Sequence, residues 1–152
     1  MRTSDAVIWG ALAVAVVNGL VGAYGTIRWY LVEPSRAFWP ALRTGQLAAL
    51  AYAVGVGVLW LTGRRAADDL FYLYAFLPLA IGFVAEQLRV LAAEQVLTSR
   101  GLADAQEVGE LDEDEQRSVV VAILRRELGV MAAAAIVVCF LALRAAGTAQ
   151  GF

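Results

Sequence analysis

The sequence predicts an all-α integral membrane protein: a bundle of four transmembrane helices, up-down-up-down, with helices 3 and 4 extended into a cytoplasmic helical hairpin. Three observations carry this. Of the 152 residues, 61% are hydrophobic, against about 45–50% in soluble domains. These residues gather into four long runs, so the bilayer stands in for water as the solvent. All four Trp lie near the ends of those runs, where membrane proteins carry their aromatic belts.

The first run, AVIWGALAVAVVNGLVGAYGTI, predicts a span over 6–27. It is too long for the apolar region of a signal peptide, follows Asp5 and lacks a convincing small-x-small cleavage site, so it is read as retained. The second, QLAALAYAVGVGVLWLT, predicts a span over 46–62; the third, LFYLYAFLPLAIGFVAEQL, predicts one over 70–88. Each fits the roughly 17–25 residues that cross a bilayer. The fourth, LGVMAAAAIVVCFLAL, is shorter and reaches 128–146 if Arg144 snorkels. Trp9 and Trp60 then fall at one membrane face, Trp29 and Trp39 at the other. The whole chain, 1–152, reads as one transmembrane domain.

The stretch VAEQLRVLAAEQVL places charges at the end of the third run. From Leu70 the hydrocarbon is used up after roughly 19 residues, about 28 Å, so Glu86 and Arg89 fall at the interface. No Gly or Pro interrupts Val84 to Arg100, and Ala, Leu, Glu and Gln favour helix. The third helix therefore runs on. RSVVVAILRRELG predicts a helix beginning near Ser118, with Val119, Val120, Ile123 and Leu124 packed against Val90, Leu91 and Leu97. The result is a hairpin over 89–127, capped by the acidic GLADAQEVGELDEDEQ. The side holding this hairpin carries eight of the 12 Arg; the other carries Arg2, Arg64, Arg65 and Arg144. The positive-inside rule then places the hairpin in the cytoplasm and both termini outside. The absence of Lys beside abundant Arg and Ala points to a high-GC bacterial genome, hence to a bacterial inner (cytoplasmic) membrane.

Composition also narrows the chemistry. There is no His, which removes His-ligated haem, His-based zinc sites and His as general base. Cys139 is the one Cys, so no intrachain disulfide or Cys-x-x-Cys pair forms. Ser4, Ser35, Ser99 and Ser118 all lie outside the apolar runs, which makes a nucleophile with its base very hard to assemble within a span. No catalytic, cofactor or metal residue is assigned. A net charge of −2 gives no reason to expect nucleic acid. Residues 104–115 do not match the calcium loop of EF-hands, because Gln106 and Val108 stand where ligand oxygens belong.

Three groups of candidate residues remain. Arg28, Glu33, Arg36, Glu86, Arg89, Arg125, Arg126 and Glu127 are neighbours in depth, with Arg43, and predict an interfacial charge network beside anionic lipids on the cytoplasmic side. Ala11, Ala15, Gly19 and Ala23 on the first span, and Ala49, Ala53 and Gly57 on the second, predict ridges of small side chains for close helix packing. Asn18 is the strongly polar residue deep in a span and predicts a hydrogen bond across the bundle. Four spans in this length resemble the small multidrug exporters and the eicosanoid and glutathione membrane enzymes. The first-span Glu of the former and the Arg- and Glu-bearing helix patterns of the latter are absent. The expectation is a non-catalytic accessory subunit packing against a membrane-protein partner or itself; the alternative is a small ion channel or transporter.

Overall fold

A computed structural model describes residues 3–33 and 35–150; Arg2, counted above, lies outside them. The helices are α1 (Thr3–Tyr30), α2 (Phe38–Leu61), α3 (Leu70–Ser99), the short α4 (Ala105–Glu110) and α5 (Glu113–Thr148), with no strand among the described residues. Four of them are long and apolar enough to cross a membrane.

Each of the four is longer than its apolar run. α2 begins at Phe38 rather than at 46, because Pro40 sits in the first turn, where a missing N–H breaks no helical bond. α5 begins ahead of Ser118 because the Asp112 carboxylate accepts the Glu115 N–H at 2.8 Å and caps the helix. At about 1.5 Å per residue α3 is about 45 Å long and α5 about 54 Å, more than the roughly 30 Å of a bilayer's hydrocarbon.

The buried and exposed residues invert the habit of a soluble protein. Alanine supplies half of the buried apolar residues, while Trp9, Leu20, Phe83 and Phe140 are each more than 60% exposed. In water such a surface would be an aggregation liability; in lipid, bulky side chains face the solvent and small ones let helices approach.

The core has three tiers. Val7, Ala11, Val56, Phe71, Ala75 and Ala145 gather at one end, Val14, Ala15, Ala49, Val138 and Ala142 form the middle, and Val21, Phe38, Leu42, Ala85, Leu128 and Met131 the other end. α5 packs most extensively on α1 and then on α3, whereas the α2–α3 seam is thin.

The small-residue ridges only partly face inward. Ala11 and Ala15 are buried, Gly19 is half-buried and Ala23 is exposed. A four-residue step advances about 40° beyond a full turn at 3.6 residues per turn, so the ridge winds off the interface. Contact passes to Gly22 and Gly25. A Cβ on Gly22 would stand 2.6 Å from Ile136 Cγ1, and one on Gly25 would stand 2.8 Å from Ala132 Cβ. On α2, Ala49 and Ala53 are buried, but a Cβ on Gly57 would meet nothing within 4 Å; Val56 is buried in its place.

The hairpin packing also differs from expectation. Val90, Leu91 and Val120 are about half exposed, and the buried residues are Ala92, Val96 and Val119. Ala85, Ala92 and Val96 repeat at helical spacing on the stripe that α3 already uses to face the bundle; Val90 and Leu91 point away from it.

Three helices end alike. After α2 and α3, Gly63 (φ 83°) and Gly101 (φ 73°) take the left-handed position. The following N–H groups, of Arg64 and Leu102, reach back to the Leu59 and Leu97 carbonyls, closing Schellman caps. After α1 the same bond runs from Glu33 N–H to Arg28 O, but the left-handed residue is Val32 (φ 57°).

Candidate functional site

The charged layer and a neighbouring cavity form the candidate site. Glu86 on α3 is its centre. Arg43 Nη1 donates to Glu86 Oε1 at 2.7 Å and to Gln46 Oε1 at 2.6 Å, and Gln46 Nε2 donates to Glu86 Oε1 at 3.3 Å. Arg89 Nε lies 3.1 Å from Glu86 Oε2, one helical turn along α3, but outside hydrogen-bond alignment. The Arg89 guanidinium stands 5.4 Å over the Trp39 ring, a cation–π contact. Glu127 on α5 lies within Coulombic range of both Arg89 and Glu86. Three helices are thus joined by charge at one level.

The eight sequence-predicted residues do not make one network. Glu86, Arg89 and Glu127 belong to the layer just described. Arg28, in the last turn of α1, pairs with Glu33 of the α1–α2 connection at 2.6 Å; Arg28 Nε also donates to Tyr24 at 3.3 Å, and the Tyr24 hydroxyl meets Ser35 at 2.7 Å. Arg125 stands over the Trp29 ring at 5.5 Å, and Arg126 borders a cleft with Trp29 and Thr26. Arg36 is exposed on the connection. Depth along the bundle put these residues together in the sequence reading; angle around it separates them.

Asn18 is 2% exposed and is the one buried polar residue among those described. Its Nδ2 donates to Val14 O at 3.0 Å and to Gly45 O at 3.2 Å, the second bond tying α1 to α2. Gly45 permits this approach, since a Cβ there would stand 2.8 Å from Asn18 Oδ1.

Between α2 and α3 lies a cavity of about 280 Å³ that extends from Arg43, Gln46 and Glu86 past Asn18 to Leu50, Pro78 and Val138. Sequence reading missed it, along with Gln46, Trp39, Gly22 and Gly25. Arg43 and Gln46 are spaced i,i+3, which puts them on one helix face and was the available signal. Gly22 and Gly25 share the same spacing. The cavity itself leaves no local mark in sequence.

In the acidic cap, Asp104 accepts the Gln106 and Glu107 N–H groups and Glu107 accepts the Ala103 N–H. With Asp112 capping α5, three of its carboxylates serve helix ends.

The fold therefore defines a class, a helical bundle with four helices of membrane-spanning length and one charged layer. No protein-family model, no curated protein and no solved structure matches this chain.

Proposed function

We propose that the protein is a non-catalytic multi-pass subunit of a bacterial inner membrane, packing against membrane-protein partners or a second copy of itself. In this reading the four long helices cross up-down-up-down, both termini lie outside, and the 89–127 hairpin stands in the cytoplasm beside anionic lipids. The Arg distribution supports the orientation. Reporter fusions at Gln106 and at Phe152 test it: a cytoplasm-only reporter active at Phe152 and silent at Gln106 reverses it.

The observation that carries the subunit role is how Asn18 is used. Both of its bonds go to backbone carbonyls, Val14 O and Gly45 O, and the core tiers on either side of it are wholly apolar. A conducting path normally shows polar groups at several depths.

A small transporter is the second reading, favoured by the cavity that leads from the Glu86 layer to Asn18. Mild-detergent purification from the native membrane, with liposome flux measured on the same material, separates the two. The subunit reading expects a defined complex or homo-oligomer and no flux. Ion or solute flux from the protein alone, altered by Asn18→Leu with assembly intact, replaces it with the transport reading.

A further inference from the structure

The α2–α3 cavity has two chemically distinct ends. Its wall is apolar and opens sideways: Leu50, Leu79 and Phe83 line it and are 46%, 37% and 68% exposed. Its depth comes from small residues on α3, where a Cβ on Gly82 would meet nothing within 4 Å. Its mouth is polar, at Arg43, Gln46 and Glu86.

At the mouth the Glu86 carboxylate is flanked by two guanidinium groups, of Arg43 and Arg89, and Arg43 has donors to spare. Glu86 is already faced by Arg43, Gln46 and Arg89. Arg43 spends Nη1 on these partners and keeps Nε and Nη2, on a side chain 53% exposed. An occupant that satisfies both ends has an apolar chain and a head that accepts hydrogen bonds with negative charge, the arrangement in which guanidinium binds most strongly. The volume of about 280 Å³ lies just under the range of ligand sites, about 300–1,000 Å³, which suits one chain inserted from the side rather than a whole two-chain molecule.

We propose that this cavity is a phospholipid site, holding one acyl chain between Leu50, Leu79 and Phe83 with the phosphate on Arg43. The site functions in either orientation of the protein across the bilayer. It rests on the membrane reading above and narrows its lipid partner to one place, but it is independent of the subunit role.

Native mass spectrometry of the full chain released from phosphatidylglycerol nanodiscs tests it. Wild type should retain one lipid per chain. Gly82→Leu, which fills the cavity, should lower the retained fraction at least tenfold, whereas Gly147→Leu, an equal apolar addition at an exposed position of α5 where a Cβ would meet nothing within 4 Å, should leave it unchanged. Arg43→Gln should lower phosphatidylglycerol retention about tenfold while leaving diacylglycerol, which has no phosphate, unaffected. Millimolar inorganic phosphate should not displace the lipid. Equal retention by wild type and Gly82→Leu would overturn the site. Equal retention of diacylglycerol and phosphatidylglycerol by wild type would overturn the phosphate contact. Chain dimers that Gly82→Leu abolishes, with no lipid retained, would put a partner helix in the cavity and overturn the lipid assignment. Failure of any kind here leaves the partner and flux measurements above to judge the subunit role separately.

Discussion

Replacing Gly22 by Ala adds one methyl group at the tightest point of the α1–α5 interface. The added Cβ would stand 2.6 Å from Ile136 Cγ1, 3.0 Å from Ile136 N and 3.3 Å from Ala132 O. Carbon atoms pack best at about 3.5–4.0 Å, so α1 and α5 must separate by roughly 1 Å or the Ile136 side chain must leave its place. Rotating Ile136 does not suffice, because its backbone nitrogen is also too close. Overpacking of this kind costs about 1–3 kcal/mol, while the exchange of Gly for Ala within a helix returns about 0.5–1 kcal/mol. The net expectation is a loss of about 1–2 kcal/mol. Gly57→Ala is the internal reference, since its Cβ meets nothing within 4 Å; it should stabilise by about 0.5–1 kcal/mol. Unfolding of the full chain in mixed micelles by sodium dodecyl sulfate, followed by far-ultraviolet circular dichroism, measures both. If Gly22→Ala proves as stable as Gly57→Ala, the close approach of α1 and α5 is wrong.

Three further expectations follow from single residues. Val32 holds the left-handed position that Gly63 and Gly101 hold after α2 and α3, at a cost of about 1–2 kcal/mol for a side chain there. Val32→Gly should therefore raise the melting temperature, and a fall would show that the Val32 side chain contributes more than its backbone strain removes. Glu86→Gln and Arg89→Gln should each lower stability by about 1 kcal/mol, the scale of a partly exposed ion pair; an unchanged melting temperature for both would remove the charged layer from the stability account. Residues 104–115 should show no micromolar calcium affinity in calorimetry, because Asp104, Glu107 and Asp112 serve as helix caps; a micromolar site lost in Glu115→Gln would contradict this.

What the sequence determined by itself is the helical architecture, with four helices long and apolar enough to cross a membrane. Runs of apolar residues and the placement of Trp are local properties, and a helix satisfies its own backbone bonds wherever it ends up. Continuity of α3 through Glu86 and Arg89 was legible for the same reason: residues between Val84 and Arg100 all tolerate helix, whatever surrounds them. The start of α2 was not legible, because Arg43 and Thr44 end the apolar run although the helix continues through them. Angular position was decided only by the tertiary structure. Ala23 and Gly57 share a spacing with Ala11 and Ala49, but Ala23 is exposed and Gly57 borders an open α2–α3 cleft, since 3.6 residues per turn rotates a four-residue ridge off a straight contact. Gly22 and Gly25 take over, chosen by where α5 lies. In the same way Glu86 takes Arg43 and Gln46 from a helix some forty positions earlier in the chain, while Arg125 at similar depth faces Trp29. Sequence specifies where along a helix each charge sits; the packing of one helix on another specifies which charges meet, and leaves the α2–α3 seam open as a cavity.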